Sequence, residues 1–150
     1  MKSILRAVLI AIVAGLFTLN MAHAEGAKHR IVIHVDQNDP DIMNMALNNA
    51  KNVIDAYRAK NEDVTIEVVA YGPGLHMLRD DTSPVKDRIK EISELSIPSN
   101  ITFSACNNTK QGMEKREGHP ITIIPQAHLV PAGVVRIMEL EEQDYSYVKP

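Results

Sequence analysis

The succession of strand, long amphipathic helix and strand between Arg30 and Tyr71 restricts this chain more than any other feature. Arg30-Ile31-Val32-Ile33-His34-Val35-Asp36 is rich in β-branched residues and almost unbroken in its apolar character, as suits a strand covered on both faces. Asp39-Pro40-Asp41 follows as a helix start, with Asp39 as the cap and Pro40 at the first helical position, where a missing N–H is harmless. The helix is expected to run from about Pro40 to Lys60, with Ile42, Met43, Ala46, Leu47, Ala50, Val53, Ile54 and Tyr57 at the spacing of one buried face. Val64 to Tyr71 (VTIEVVAY) then reads as a second strand. Two buried strands joined by a helix pair in parallel through a right-handed crossover.

The alternation continues to the C-terminus. Gly72-Pro73-Gly74 turns the chain where its backbone can approach a ligand or another segment closely, and Leu75 to Leu78 adds a helical turn. A second helix is signalled by Ser83 as cap and Pro84 at the first position, with Val85, Ile89, Ile92 and Leu95 on its buried face and an end before Ile97-Pro98. Asn100 to Ala105 is a third strand, a short helix follows up to Gly118, and Ile121 to Ile124 reads as the fourth strand. Val130 to Glu142 is a last helix carrying Val134, Ile137, Met138 and Glu141 one turn apart, and Tyr145 to Val148 a short terminal strand. The expected architecture is a three-layer α/β/α sandwich around a mostly parallel sheet of four to five strands. Ligands of such sheets sit outside the carboxyl ends of the strands. Here that edge gathers His34, Asp36, the Tyr71-Gly72-Pro73-Gly74 turn, Cys106, Gln126 and His128.

The first 24 residues point to export. A basic start with Lys2 and Arg6, the apolar run Ala7 to Leu19 and the small-x-small site Ala22-His23-Ala24 form a cleavable signal peptide. The run falls short of the roughly 20 apolar residues of a permanent span, so no stable membrane span is expected after cleavage. Residues 25–150 are expected to form one domain in the periplasm. Without Lys2 and Arg6, 14 basic residues face 19 acidic ones, a net charge of −5. A nucleic-acid partner would require a basic stripe, so that class is disfavoured.

Cys106 is the only cysteine. In an exported protein it is free, paired between chains, or modified. Its place at the end of a strand and the start of a helix exposes it to the positive end of the helix dipole, which stabilises a thiolate. Asn107, Asn108 and Thr109 offer side-chain oxygens for that helix terminus, and His34 could act on the thiol as a base if the fold brings it near. A small side chain packed beneath the helix is the plainer alternative, because free cysteines are among the most buried residues.

Other chemistries find less support. Five histidines remain after the signal, yet there is no H-x-x-x-H or C-x-x-C pair, so no metal site is expected. Met43, Met45, Met77 and Met113 read as packing residues rather than soft ligands. His119 and His128 read as surface residues. No phosphate-cradling glycine motif and no G-x-S-x-G occur, and no cofactor is expected. Asp80-Asp81 and Glu139, Glu141 and Glu142 read as solvated faces.

Five separated blocks carry a resemblance: the Ile31 to Val35 strand; Ala46-Leu47-Asn48-Asn49-Ala50-Lys51-Asn52; Val68-Val69-Ala70-Tyr71-Gly72-Pro73-Gly74-Leu75; Phe103-Ser104-Ala105-Cys106-Asn107-Asn108-Thr109; and Gly133 to Leu140 with the tail Tyr145 to Pro150. Together they resemble the DsrE/DsrF-like family over nearly all of residues 25–150. The resemblance implies a homo-oligomer, trimer or hexamer, and a central cysteine that carries a persulfide in the sulfur-transfer members. Only Cys106 matches that functional position, with the segments Val69 to Leu75, including Tyr71, Gly72 and Gly74, and Asn107 to Thr109 as its surroundings. Those members work as cytoplasmic subunits of a sulfur relay, whereas this chain carries an export signal, which leaves its sulfur donor and acceptor open. Three readings follow: a periplasmic sulfur carrier or sulfurtransferase with a donor or acceptor protein; a non-enzymatic oligomeric module with a structural Cys106 and a pocket at the sheet edge; and a redox sensor.

Overall fold

The computed structural model describes residues 29–96 and 100–150, so the signal sequence read at 1–24 and the Ile97-Pro98 stop lie outside the described residues. Five strands form one sheet: β1 (His29–Val35), β2 (Val64–Ala70), β3 (Asn100–Cys106), β4 (Ala127–Val130) and β5 (Ser146–Val148). All pairings are parallel, in the order β4-β3-β2-β1-β5. The chain steps from β1 through β2 and β3 to β4 in one direction and then returns past β1 to β5. Right-handed crossovers therefore place the first three connections on one face and the last on the other. This is the expected α/β/α sandwich.

The first face is covered by α1 (Pro40–Arg58), α2 (Lys86–Leu95) and α3 (Asn107–Glu117). Their apolar side chains pack with Ile33, Val35, Ile66, Val68, Ile101, Phe103 and Ala105 into one continuous core. Among the described residues the second face carries only α4 (Gly133–Glu141), and its apolar cluster is Val32, Val69, Ile137 and Leu140.

Most local signals act as expected. Asp39 caps α1 by accepting from the Asp41 N–H at 2.8 Å, and Pro40 opens the helix. Gly118 ends α3 in the left-handed conformation, φ 75°. Met43, Met77 and Met113 are buried in the core, whereas Met45 is exposed.

Three expectations need correction. The fourth strand is Ala127–Val130, not Ile121 to Ile124. Ile121 and Ile124 are buried in the core, and their segment pairs with residues 78–80 instead: Ile124 N–H donates to Leu78 O, and Asp80 N–H to Thr122 O. β-branched composition reports burial in an extended segment, and it does not say which neighbour accepts the main-chain bonds. The second helix starts at Lys86, because the Ser83 hydroxyl donates to Met77 O at 2.6 Å and leaves Val85 at the cap position without a side-chain cap bond. Its last residue, Leu95, is exposed rather than buried. The final helix starts at Gly133, after Pro131, and turns Gly133, Ile137 and Leu140 inward while Val134, Val135 and Met138 stay exposed.

Candidate functional site

Side chains on adjacent parallel strands that share a register position point to the same face. The pairings Cys106↔Val130, Ala70↔Ala105 and Val35↔Ala70 therefore set Cys106, Tyr71 and Asp36 in one row at the carboxyl edge, on the α4 side. His34, Val69, Ser104 and His128 form the row below.

Gly74 makes the edge possible. A Cβ there would stand 2.2 Å from Val35 O, so only glycine lets the 3₁₀ turn Gly72–Leu78 pass so close to the end of β1. Gly72 N–H donates to Thr109 Oγ1 at 3.0 Å and ties that turn to the start of α3.

Cys106 is the N-cap of α3, with its own sulfur accepting from the Thr109 N–H at 3.4 Å. The cap is thus the cysteine itself rather than the oxygens of Asn107 or Asn108. The residue is 5 % exposed. Burial pushes the thiol pKa up; the Thr109 hydroxyl and the N–H groups of Thr109, Gly133 and Asn108 outweigh it, and the net result lies below the ordinary value. Gly133 is the first residue of α4, so two helix N-termini converge on this sulfur. Their dipoles and backbone N–H groups favour negative charge there.

Tyr71 forms the wall beside the sulfur. A Cβ on Gly133 would lie 2.8 Å from the Tyr71 ring, which gives that glycine a packing reason. On its other side Tyr71 stacks on His34, ring centroids 4.5 Å apart at 20°. Burial, followed by Asp36 and Tyr147, raises the Tyr71 pKa, so its phenol stays protonated.

His34 does not pair with the thiol. β2 separates its strand from that of Cys106, a spacing of about 10 Å between β1 and β3. Its Nδ1 bonds instead to the Tyr147 hydroxyl at 2.7 Å, and its Nε2 lies 3.9 Å from Asp36 Oδ2. Asp36 is paired with Lys149 at 2.6 Å, a bond that holds its carboxyl below the usual range. The C-terminal residues Tyr147 and Lys149 are thereby fastened over β1. The sheet order reverses between β1 and β5, which is where ligands settle in open α/β sheets.

A second polar group lies under α4. Glu67, buried in the centre of β2, receives Arg136 through two bonds of 2.7 and 2.8 Å and the Ser104 hydroxyl at 2.5 Å. His128 Nε2 lies 3.1 Å from the same hydroxyl. Burial raises the Glu67 pKa, yet Arg136 and Ser104 reverse it and hold the carboxyl below its ordinary value. This group has a visible signal in VTIEVVA, where one carboxylate interrupts a buried strand, but its partner was not identifiable.

His119 and His128 are exposed, and Gln126 lies on the short loop leading into β4. Among the described residues no group of three or more His, Cys, Asp or Glu side chains could hold a metal ion, and no helix is long and apolar enough to cross a membrane. A groove of about 470 Å³ between α1 and α2 lies on the face away from Cys106.

Among the solved structures similar to this chain is MTH1491 from Methanobacterium thermoautotrophicum, a protein of unknown function. The TM-score is 0.66 at 27% identity, over 81% of this chain and 99% of that one. It shares the fold and brings no activity with it. No family model matches the chain, and no curated protein does.

Proposed function

We propose that this protein is an exported sulfur carrier in which the Cys106 thiolate accepts a sulfane sulfur as a persulfide and passes it on. The observation that carries the reading is the convergence of two helix N-termini on one sulfur with a lowered pKa at the carboxyl edge of the sheet. The DsrE/DsrF-like sequence blocks support it, because Cys106 stands where the sulfur-transfer members carry their persulfide, and export rests on residues 1–24.

The chemistry requires no net oxidation. The thiolate attacks the outer sulfur of a persulfide, polysulfide or thiosulfate, the donor S–S bond breaks, and its electron pair leaves on the donor thiolate, polysulfide fragment or sulfite. An acceptor thiolate then attacks the outer sulfur on Cys106 and releases the Cys106 thiolate. With no second cysteine in the chain, no internal disulfide can discharge the persulfide.

The test is the intact mass of residues 25–150 after incubation with thiosulfate or polysulfide, beside Cys106→Ser. A gain of one sulfur mass, reversed by reductant and absent in the variant, is expected. A second reading, a homo-oligomeric binding module with a structural thiol, is favoured by the 5 % exposure of Cys106 and by the exposed Leu129, Val134, Val135 and Met138, which a partner copy would cover. A thiol that takes up no sulfur and resists alkylation until the protein unfolds selects that reading.

A further inference from the structure

One buried group takes no part in the sulfur chemistry above. His34 is 5 % exposed, yet its Nε2 has no hydrogen-bond partner, and neither has Asp36 Oδ1 beside it. Such orphans are uncommon and costly in a folded protein, and they accumulate where a group changes state.

His34 reaches the thiol only through other side chains. It is bonded to Tyr147 and stacked on Tyr71, Tyr71 presses on Gly133, and the Gly133 N–H is one of the groups that favour the charged form of Cys106. One packed path therefore joins the C-terminal strand to the nucleophile.

We propose, on the reading that Cys106 acts as a thiolate, that His34 is a positioning residue whose protonation locks Tyr71 against Gly133 and holds the rim closed over the sulfur. In the neutral ring one nitrogen donates and the other accepts. In the cation both donate: Nδ1–H to the Tyr147 oxygen, and Nε2–H to the Asp36 carboxylate, whose Oδ2 lies 3.9 Å away and whose Oδ1 is free. Both orphan atoms are then satisfied. The charge also lies against the face of Tyr71, where a cation is attracted by the ring.

The groups that face His34 are Asp36 on its own strand, Tyr71 after β2, and Tyr147 and Lys149 on the C-terminal segment. The helix above, α4, buries Gly133, Ile137 and Leu140, none of which titrates, and its charged Arg136 turns to Glu67 further down the sheet. Burial lowers the His34 pKa, Asp36 opposes this, and Lys149 lowers it further. Closure therefore belongs to the acid side of the ordinary histidine value of 6.5. At neutral pH the ring is uncharged and that lock is relaxed.

The experiment follows the alkylation rate of Cys106 by iodoacetamide in the folded protein from about pH 4.5 to 9. The wild type is expected to show the thiol inflection and a second, lower one, across which the rate falls about threefold more than loss of thiolate explains. His34→Gln removes the lower inflection and keeps the upper. Asp36→Asn moves the lower inflection to lower pH and Lys149→Met moves it to higher pH, opposite shifts that a merely structural role would not produce. These two decide the matter if His34→Gln fails to fold. A single inflection in the wild type, or a lower one that none of the three variants moves, overturns the proposal and leaves the thiolate reading standing. A thiol unreactive at every pH until unfolding overturns both.

Discussion

The two faces of the sheet are built on different principles. Under α1, α2 and α3 the core is apolar from Val64 to Phe103, and its stability comes from burial and close packing. Under α4 the apolar cluster is small, and beside it lie Glu67 with Arg136 and Ser104, the stacked Tyr71 and His34, and Cys106. One face holds the molecule together; the other, covered by a single helix, holds the polar groups in fixed positions. Local opening is expected where the apolar cover is thinnest.

The strongest way to break this comparison is to weaken each face in turn. Phe103 is fully buried in the first core, and Phe103→Ala is expected to cost about 3–5 kcal/mol in denaturant unfolding. Ile137→Ala removes a smaller, 6 % exposed side chain of α4 and is expected to cost about 2–3 kcal/mol. The kinetic consequence should run the other way: Cys106 alkylates faster in folded Ile137→Ala, which loosens α4, than in folded Phe103→Ala. If Phe103→Ala opens the thiol as much, the faces are not independent.

A second test concerns the buried pair. Glu67→Gln leaves Arg136 with only the exposed Glu139 as counter-charge and is expected to destabilise by about 2–3 kcal/mol, while Glu67→Leu combined with Arg136→Met recovers most of the loss. The folded carboxyl titrates below its ordinary value of 4.5, so its contribution is complete above that pH and is lost as pH falls through the folded value. The acid limb of the stability profile should be shallower in Glu67→Gln. The limb that remains belongs to Asp81 and Glu117, held below their ordinary values by the buried Arg79, to Asp36, held down by Lys149, and to Glu114, held down by Lys110.

The first face was the more legible of the two in the sequence, because burial there repeats with the helical period: Met43, Ala46, Leu47, Ala50 and Ile54 in α1, and Ile89 and Ile92 in α2. Cys106 was also legible, since a strand followed by Asn107-Asn108-Thr109 places it at a junction whatever lies across from it. What stayed hidden depends on contacts distant in sequence. Arg136 and Glu67 are 69 positions apart, His34 and Tyr147 are 113, and no local pattern records either pair. The apolar residues of α4 misled for a related reason: Val134 and Met138 follow the helical period but face outward, and period alone does not identify the neighbour. β4 was missed because Ala127-His128-Leu129-Val130 has only one β-branched residue, whereas Ile121-Thr122-Ile123-Ile124 is wholly β-branched.

The smallest effect on stability is expected at Thr109, and it is the sharpest probe of the second face. Its hydroxyl accepts the Gly72 N–H and favours the charged form of the Cys106 thiol, so one side chain serves both the 3₁₀ turn and the sulfur. Thr109→Val keeps the shape and removes the hydroxyl with its Gly72 bond, at a cost of about 1 kcal/mol. The thiol also loses a donor that stabilises its charged form, while burial, which opposes that form, remains. Its pKa should therefore rise, and alkylation at neutral pH should slow even though the fold is nearly as stable as before. Thr109→Ser restores the hydroxyl and should restore the rate. A Thr109→Val protein that reacts at the wild-type rate would mean that the helix N–H groups of Thr109, Asn108 and Gly133 hold the thiolate without help from the side chain.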